Sequence, residues 1–132
     1  MKLKKYFKYP TIMQKSILLV DDEGDLGWIM KKVIKDAGHK FSYATTVKEA
    51  IKKIKSLKNL NIALVDLRIA DKNGLTFIKT AKAINDKIKF IVISAFGTPN
   101  IKLKARRLGV RYFLDKPIRA DRLLDIINKD GL

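Results

Sequence analysis

Five short, largely apolar runs divide the chain, and four of them close on a polar or charged residue. They are Ile17–Val20 before Asp21, Phe41–Ala44, Ile62–Val65 before Asp66, Lys89–Ile93 before Ser94, and Val110–Leu114 before Asp115. Runs of this length that do not alternate polar with apolar suit strands buried on both faces of a parallel sheet. Between them the apolar residues change to helical spacing. Leu26, Ile29, Met30, Val33, Ile34 and Ala37 recur at i, i+3, i+4 and i+7, and Gly38 follows as a left-handed cap. Trp28 lies off that stripe and is expected to cover the helix flank. Thr46 with Glu49 three residues later forms a capping box, opening a helix with Val47, Ala50, Ile51 and Ile54 on its apolar face. After Gly74 a third helix carries Leu75, Ile78, Ala81 and Ala83. Thr98-Pro99 combines an N-cap with proline at the first helical position, and Ile101, Ala105 and Leu108 lead on to a stop at Gly109. Leu123, Leu124, Ile126 and Ile127 mark the last helix.

Strand and helix therefore alternate five times, with connections long enough for βαβ crossovers. The expected fold is α/β, a doubly wound five-stranded parallel sheet with helices on both faces. Right-handed crossovers and a single reversal of winding favour the strand order 2-1-3-4-5, and sheets of this kind place their sites beyond the carboxyl ends of the strands. At 132 residues and 47% apolar, the chain fits one domain with its own core, taken as residues 16–132. Residues 1–15 interleave Lys with Tyr6, Phe7 and Tyr9 and then Pro10, without a sustained period. They read as a basic N-terminal tail, extended or partly ordered.

Charge changes the picture more than length does. The formal net charge is +16, and there is no cysteine. Five of the 29 basic residues, and none of the 13 acids, fall in residues 1–20, so the excess runs through the whole chain. Such a surface attracts nucleic acid and acidic membranes, or simply stays solvated. The lack of cysteine excludes disulfides and thiolate metal sites and agrees with a reducing, cytoplasmic setting. No apolar stretch approaches a membrane span, and no secretory signal is visible. His39 has no second metal ligand at suitable spacing and is expected on the surface.

The expected topology delivers five polar side chains to one sheet edge: Asp21 and Asp22 from the first strand, Asp66 from the third, Ser94 from the fourth and Lys116 from the fifth. Each alone could be a strand-end cap, with Lys116 in a surface ion pair. Together they suggest chemistry. Three neighbouring carboxylates repel unless a cation intervenes, and a hard divalent ion such as Mg²⁺ suits oxygen ligands. A carboxylate is a competent nucleophile towards phosphorus, while an ammonium and a hydroxyl can neutralise or hydrogen-bond the oxygens of the transferring group.

This constellation resembles the receiver domain of two-component response regulators. The resemblance covers residues 16 to about 130 and rests on Asp21-Asp22 after ILLV, Asp66 ending the third strand, Gly74 eight residues on, Ser94-Ala95 and Lys116-Pro117. The family shares the flavodoxin-like fold and the 2-1-3-4-5 order, so the order given above is not independent of the resemblance. The resemblance implies that Asp66 takes a phosphoryl group from a sensor histidine kinase, a phosphotransfer protein or a small acyl phosphate. It implies that Asp22, Asp66 and the main-chain carbonyl of Arg68 bind Mg²⁺, with Asp21 acting through water. Ser94 and Lys116 would contact the phosphoryl oxygens, and the Lys116-Pro117 bond would be cis. Phe113 stands at the family's switch position, coupled to Ser94, and the fourth helix, fifth strand and last helix would form the output face for a downstream target.

Two residues depart from the family pattern. Ala70 replaces a frequent proline and is expected to loosen its loop, and the Arg68 side chain is placed to affect dephosphorylation. The resemblance implies a switch that modifies only itself, without membrane contact or direct nucleic-acid binding. Two alternatives remain at this stage. One is a basic nucleic-acid-binding module, from the charge, the tail and the Lys102, Lys104, Arg106 and Arg107 cluster. The other is an aspartyl-nucleophile phosphohydrolase, which would want its nucleophile on the first strand and a second Asp two residues on, where Asp21 is followed by Glu23.

Overall fold

Because βαβ crossovers lay helices on both faces of a parallel sheet, a strand between two others is buried on both sides, and the apolar runs satisfy that demand. They form β1 (Ser16–Val20), β2 (Lys40–Ala44), β3 (Ile62–Asp66), β4 (Lys89–Ser94) and β5 (Tyr112–Asp115). The computed structural model of the chain describes residues 13–129 and 132, so residues 1–12 of the basic tail lie outside the described residues. The five strands are parallel in the order β2-β1-β3-β4-β5. Between and after them run α1 (Gly24–Asp36), α2 (Val47–Ser56), α3 (Gly74–Ile84), α4 (Pro99–Arg107) and α5 (Ala120–Ile127). A short ribbon pairs Arg68–Ile69 antiparallel with Lys72–Asn73, just after β3.

Alternate residues of each strand feed two cores. Ile17, Leu19, Ile62, Leu64, Ile91, Ile93 and Leu114 pack with Met30 and Ile34 of α1 and with Leu123, Ile126 and Ile127 of α5. Leu18, Val20, Ala63, Val65, Phe90 and Val92 pack on the other face with Ile54 of α2, Phe77 and Ile78 of α3 and Ala105 of α4. Local signals fix the helix ends. Thr46 Oγ1 accepts the Glu49 amide at 3.1 Å, while Glu49 Oε1 accepts the Thr45 amide at 3.3 Å, so the return half of the capping box reaches one residue further back than expected. Thr98 Oγ1 accepts the Ile101 amide at 3.2 Å, with Pro99 opening α4. Gly38 and Gly109 take φ of 92° and 89°, which lets α1 and α4 end in left-handed turns.

Several expected positions move. Ile29 is 54% exposed and Trp28 73%, so α1 buries a narrower stripe than its apolar spacing suggests and Trp28 covers nothing on the flank. On α3 Ala83 is exposed, whereas Phe77, one place off the expected stripe, is buried. Val110 is buried in the turn before β5 and is not part of the strand. His39 is not a surface residue. It is 4% exposed, its Nδ1 accepts the Lys15 amide at 3.0 Å, and its Nε2 lies 2.8 Å from Asn128 Oδ1. These partners are distant in sequence, so local spacing could not announce them.

The corrected helix faces make a direct comparison possible. Phe77→Ala should cost about 3–5 kcal/mol in urea unfolding through cavity formation, and Ile29→Ala should cost under about 1 kcal/mol. Equal costs would contradict the placement of these helices.

Candidate functional site

The register sets the strand ends at matched heights. Val20 pairs with Val65, and Val65 with Val92, so Asp21 and Asp66 emerge at one level; Ser94 pairs with Asp115, immediately before Lys116. Strand alternation then assigns sides. Asp21, Asp66 and Lys116 continue the rows of Leu19, Leu64 and Leu114, which face α1 and α5, while Ser94 continues the row of Val92. The Lys116 amide donates to the Ser94 carbonyl at 2.9 Å, and the Lys116-Pro117 peptide is cis.

Lys116 Nζ donates to Asp21 Oδ2 and Asp66 Oδ2, both at 2.9 Å, and lies 3.4 Å from Glu23 Oε2. One carboxylate oxygen from each of Asp21, Asp22 and Asp66 lies within 4.8 Å of the others. Each also takes a backbone amide: Asp21 Oδ1 from Glu23 at 2.8 Å, Asp22 Oδ2 from Ala70 at 2.9 Å, Asp66 Oδ1 from Arg68 at 3.3 Å. Burial opposes charge on Lys116, but hydrogen bonds to Asp66 and Asp21 outweigh it and hold the ammonium above the ordinary lysine range. Burial also pushes the Asp21 carboxyl up to about 6, against the Glu23 amide and Lys116, which pull it down. Asp21 is fully buried, while Asp66, 8% exposed, borders a cavity of about 380 Å³ with Asp22, Arg68, Ser94, Phe96 and Lys116.

The residues singled out in the sequence therefore fall into three groups. Asp21, Asp22, Asp66 and Lys116 form one cluster. Ser94, whose Oγ accepts the Phe96 amide at 3.0 Å, and Arg68 share the cavity, and Ser94 meets Lys116 through the backbone bond between its carbonyl and the Lys116 amide. Phe113 lies away from the cavity: a Cβ on Gly97 would come 2.4 Å from its ring, so this loop glycine is what lets the ring approach. The buried position of Asp21 removes the first-strand nucleophile that the phosphohydrolase alternative requires.

Sequence reasoning missed several supports. Glu23 is a third anionic neighbour of Lys116, and the Tyr43 hydroxyl donates to the Glu23 carbonyl at 2.9 Å, fixing the acidic loop. A Cβ on Gly74 would lie 2.0 Å from the Asp66 carbonyl oxygen, so only glycine lets α3 start this close to β3. Ala70 has a definite place in its loop. Its φ is +57° at the tip of the short ribbon, and its amide holds Asp22, a bond that proline could not make.

The donor set fits a hard divalent cation. All three groups are carboxylates, a single ammonium faces them, and Asp22 and Asp66 open to the cavity. Comparison with known proteins agrees with the geometry: the family profile described as response regulator receiver domain matches residues 17–128. The chain belongs to that family. It is 33% identical over 118 residues to the chemotaxis protein CheY of Thermotoga maritima, covering 89% of this chain and 98% of that one. It is 27% identical over 113 residues to the transcriptional regulatory protein ZraR of Salmonella typhimurium, covering 86% of this chain but only 25% of that protein. The crystal structure of a CheY-like receiver domain protein from Methanospirillum hungatei superposes with a TM-score of 0.81 at 24% identity, covering 87% of this chain and 91% of that one, a likeness of fold. Receiver domains are signalling switches and not enzymes that turn over a metabolite.

Within this receiver domain, the buried acid yields a pH test. The folded-state pKa of Asp21, about 6, lies above its ordinary value of 3.8, so folding favours the protonated form. The stability this contributes is present below pH 4 and lost as pH rises through 6. Without divalent metal, Asp21→Asn should gain stability relative to wild type as pH rises from 4 to 7, because the wild-type carboxyl must then ionise in a buried place. Urea unfolding in EDTA at several pH values measures this; a pH-independent difference would contradict it.

Proposed function

We propose that the chain is a phosphorylation-dependent switch of a two-component phosphorelay, with Asp66 as the phosphoacceptor. The observation that carries this reading is the position of the Asp66 carboxylate. One oxygen lies 2.9 Å from the Lys116 ammonium at the wall of an open cavity, whereas neighbouring Asp21 is sealed off. The donor would be a phosphohistidine of a sensor histidine kinase or phosphotransfer protein, or a small acyl phosphate. An Asp66 oxygen forms the new P–O bond while the donor's P–N or P–O bond breaks, and the leaving group takes that bond's electron pair. Slow attack by water on phosphorus later restores the carboxylate and releases phosphate.

Mg²⁺, held by Asp22, Asp66 and the main-chain carbonyl of Arg68 with Asp21 acting through water, would supply positive charge for the phosphoryl oxygens. Lys116 then exchanges a carboxylate partner for a phosphoryl oxygen. The Ser94 hydroxyl, already accepting the Phe96 amide, can donate to another. Phe113, packed against Gly97 in the loop after Ser94, carries the change to the face of α4, β5 and α5, where a downstream protein binds. The Arg68 side chain, at the cavity wall, sets the access of water to the phosphoryl group. No helix among the described residues is long and apolar enough to cross a membrane, and the proposed setting is the cytoplasm, where the phosphodonor kinase domain would meet this domain.

Labelling with acetyl phosphate and Mg²⁺ tests the reading by intact-protein mass spectrometry. Wild type should gain the mass of one phosphoryl group and Asp66→Asn none. Lys116→Met should label on the order of a hundredfold more slowly, because a positioned cation leaves the transition state. Equal labelling of wild type and Asp66→Asn would place the acceptor elsewhere and end the proposal.

A further inference from the structure

We infer that the groove between α4 and β5 docks an acidic segment of the downstream protein, whose carboxylates pair with Arg106, Arg111 and Lys102. This deepens the reading above and rests on it for the identity of the face as an output surface. The groove encloses about 260 Å³, and its charged lining is Lys102, Arg106 and Arg111 with no acid; Ala105, Val110 and Phe113 supply apolar wall. The α4 sequence PNIKLKARR holds four cations and no anion. Among the described residues, the ion pairs include Lys102 with Asp115 at 3.5 Å, and none involves Lys104, Arg106, Arg107 or Arg111. Like charges this close repel, so the face lacks a counter-charge that a partner can supply.

Three features favour an acidic protein over other occupants. Arginine forks beside an aromatic and apolar wall match the composition of protein interfaces and bind carboxylates bidentately. Single-stranded nucleic acid would need open ring faces for stacking, but Lys102 Nζ sits 5.3 Å from the Phe113 ring centroid and Lys129 Nζ 5.2 Å from that of Tyr112, and both rings are half-buried. A second copy would bring another net charge of +16 to the same face. The Lys102–Asp115 pair is itself exposed, with 38% and 64% of the two side chains accessible, so an incoming carboxylate can displace Asp115. Since Lys102 also lies over Phe113, occupancy of the groove and the position of that ring are linked.

The test uses the full chain and a fluorescent decapeptide of alternating Glu and Leu, with its Gln counterpart and a single-stranded oligothymidine as separate probes, near physiological salt. The Glu peptide should bind, and Arg106→Glu with Arg111→Glu should weaken it at least roughly tenfold, while the same charge change at exposed Lys48 and Lys52 on α2 should weaken it under about threefold. Beryllofluoride with Mg²⁺ should change the affinity for the Glu peptide. Equal losses in the two double variants, equal binding of the Gln peptide, tighter binding of the oligonucleotide, or self-association covering the groove in sedimentation would each overturn the inference. Acetyl-phosphate labelling of the same proteins separates the two readings. Normal labelling at Asp66 without peptide selectivity sinks the groove alone, and peptide selectivity without labelling sinks the phosphoacceptor reading while the groove stands.

Discussion

The Lys116 ammonium sits between Asp21 and Asp66, 2.9 Å from each, in a place where a lone carboxylate or a lone ammonium would be costly to bury. Neither Asp comes from the strand that bears Lys116, so the contact closes only when β1, β3 and β5 have the right register. It also leaves an imbalance, because one cation faces Asp21, Asp22, Asp66 and Glu23. The pocket is held together by a charge too small to satisfy it, which is the physical basis on which the proposed divalent ion would bind. A fully neutralised cluster would have no such capacity.

The rest of the fold serves that register. Two cores grip the sheet from opposite faces, so a one-residue slip of β3 would drive Leu64 and Val65 into the wrong layers and turn Asp66 away from Lys116. Glycine acts where the start of α3 must approach the end of β3, at Gly74 beside the Asp66 carbonyl. At the opposite end of the sheet Lys15 and His39 tie the start of β1 and of β2 to the chain after α5: His39 meets Asn128, and Lys15 Nζ donates to the Ile127 and Lys129 carbonyls. Rigid ends at one pole leave loops free to carry polar groups at the other.

The strands were legible because burial on both faces writes a continuous apolar run into the sequence; Asp21, Asp66 and Ser94 were legible because each ends such a run, and Lys116 because only Asp115 separates it from one. Helix faces were less so. The apolar spacing of α1 includes Ile29, yet the sheet accepts only a narrow stripe of each helix, and on α3 the buried stripe is Gly74, Phe77, Ile78 and Ala81, in helical period but offset from the one that starts at Leu75. His39 shows a different limit: its partners lie 24 and 89 residues away, which no local pattern encodes. Ala70 shows a third, since an alanine at φ +57° has no compositional mark, and the conformation follows from the ribbon and the Asp22 carboxylate acting on its amide.

Charge is distributed against the average. The chain carries +16 overall, yet Asp21, Asp22, Glu23, Asp25, Asp66 and Asp71 gather at the end of β3, in the loops after β1 and β3, and in the first turn of α1. Long-range and short-range fields then differ in sign. Within about a Debye length of the surface, an anionic group meets a positive body and is attracted. At contact distance the rim around Asp66 is negative, and in the proposed reaction a phosphoryl group would close on Asp66 once a cation had joined Lys116 there. Under the proposed function, opposite signs at the two ranges would let the same molecule draw in phosphate donors and still make their reaction depend on metal.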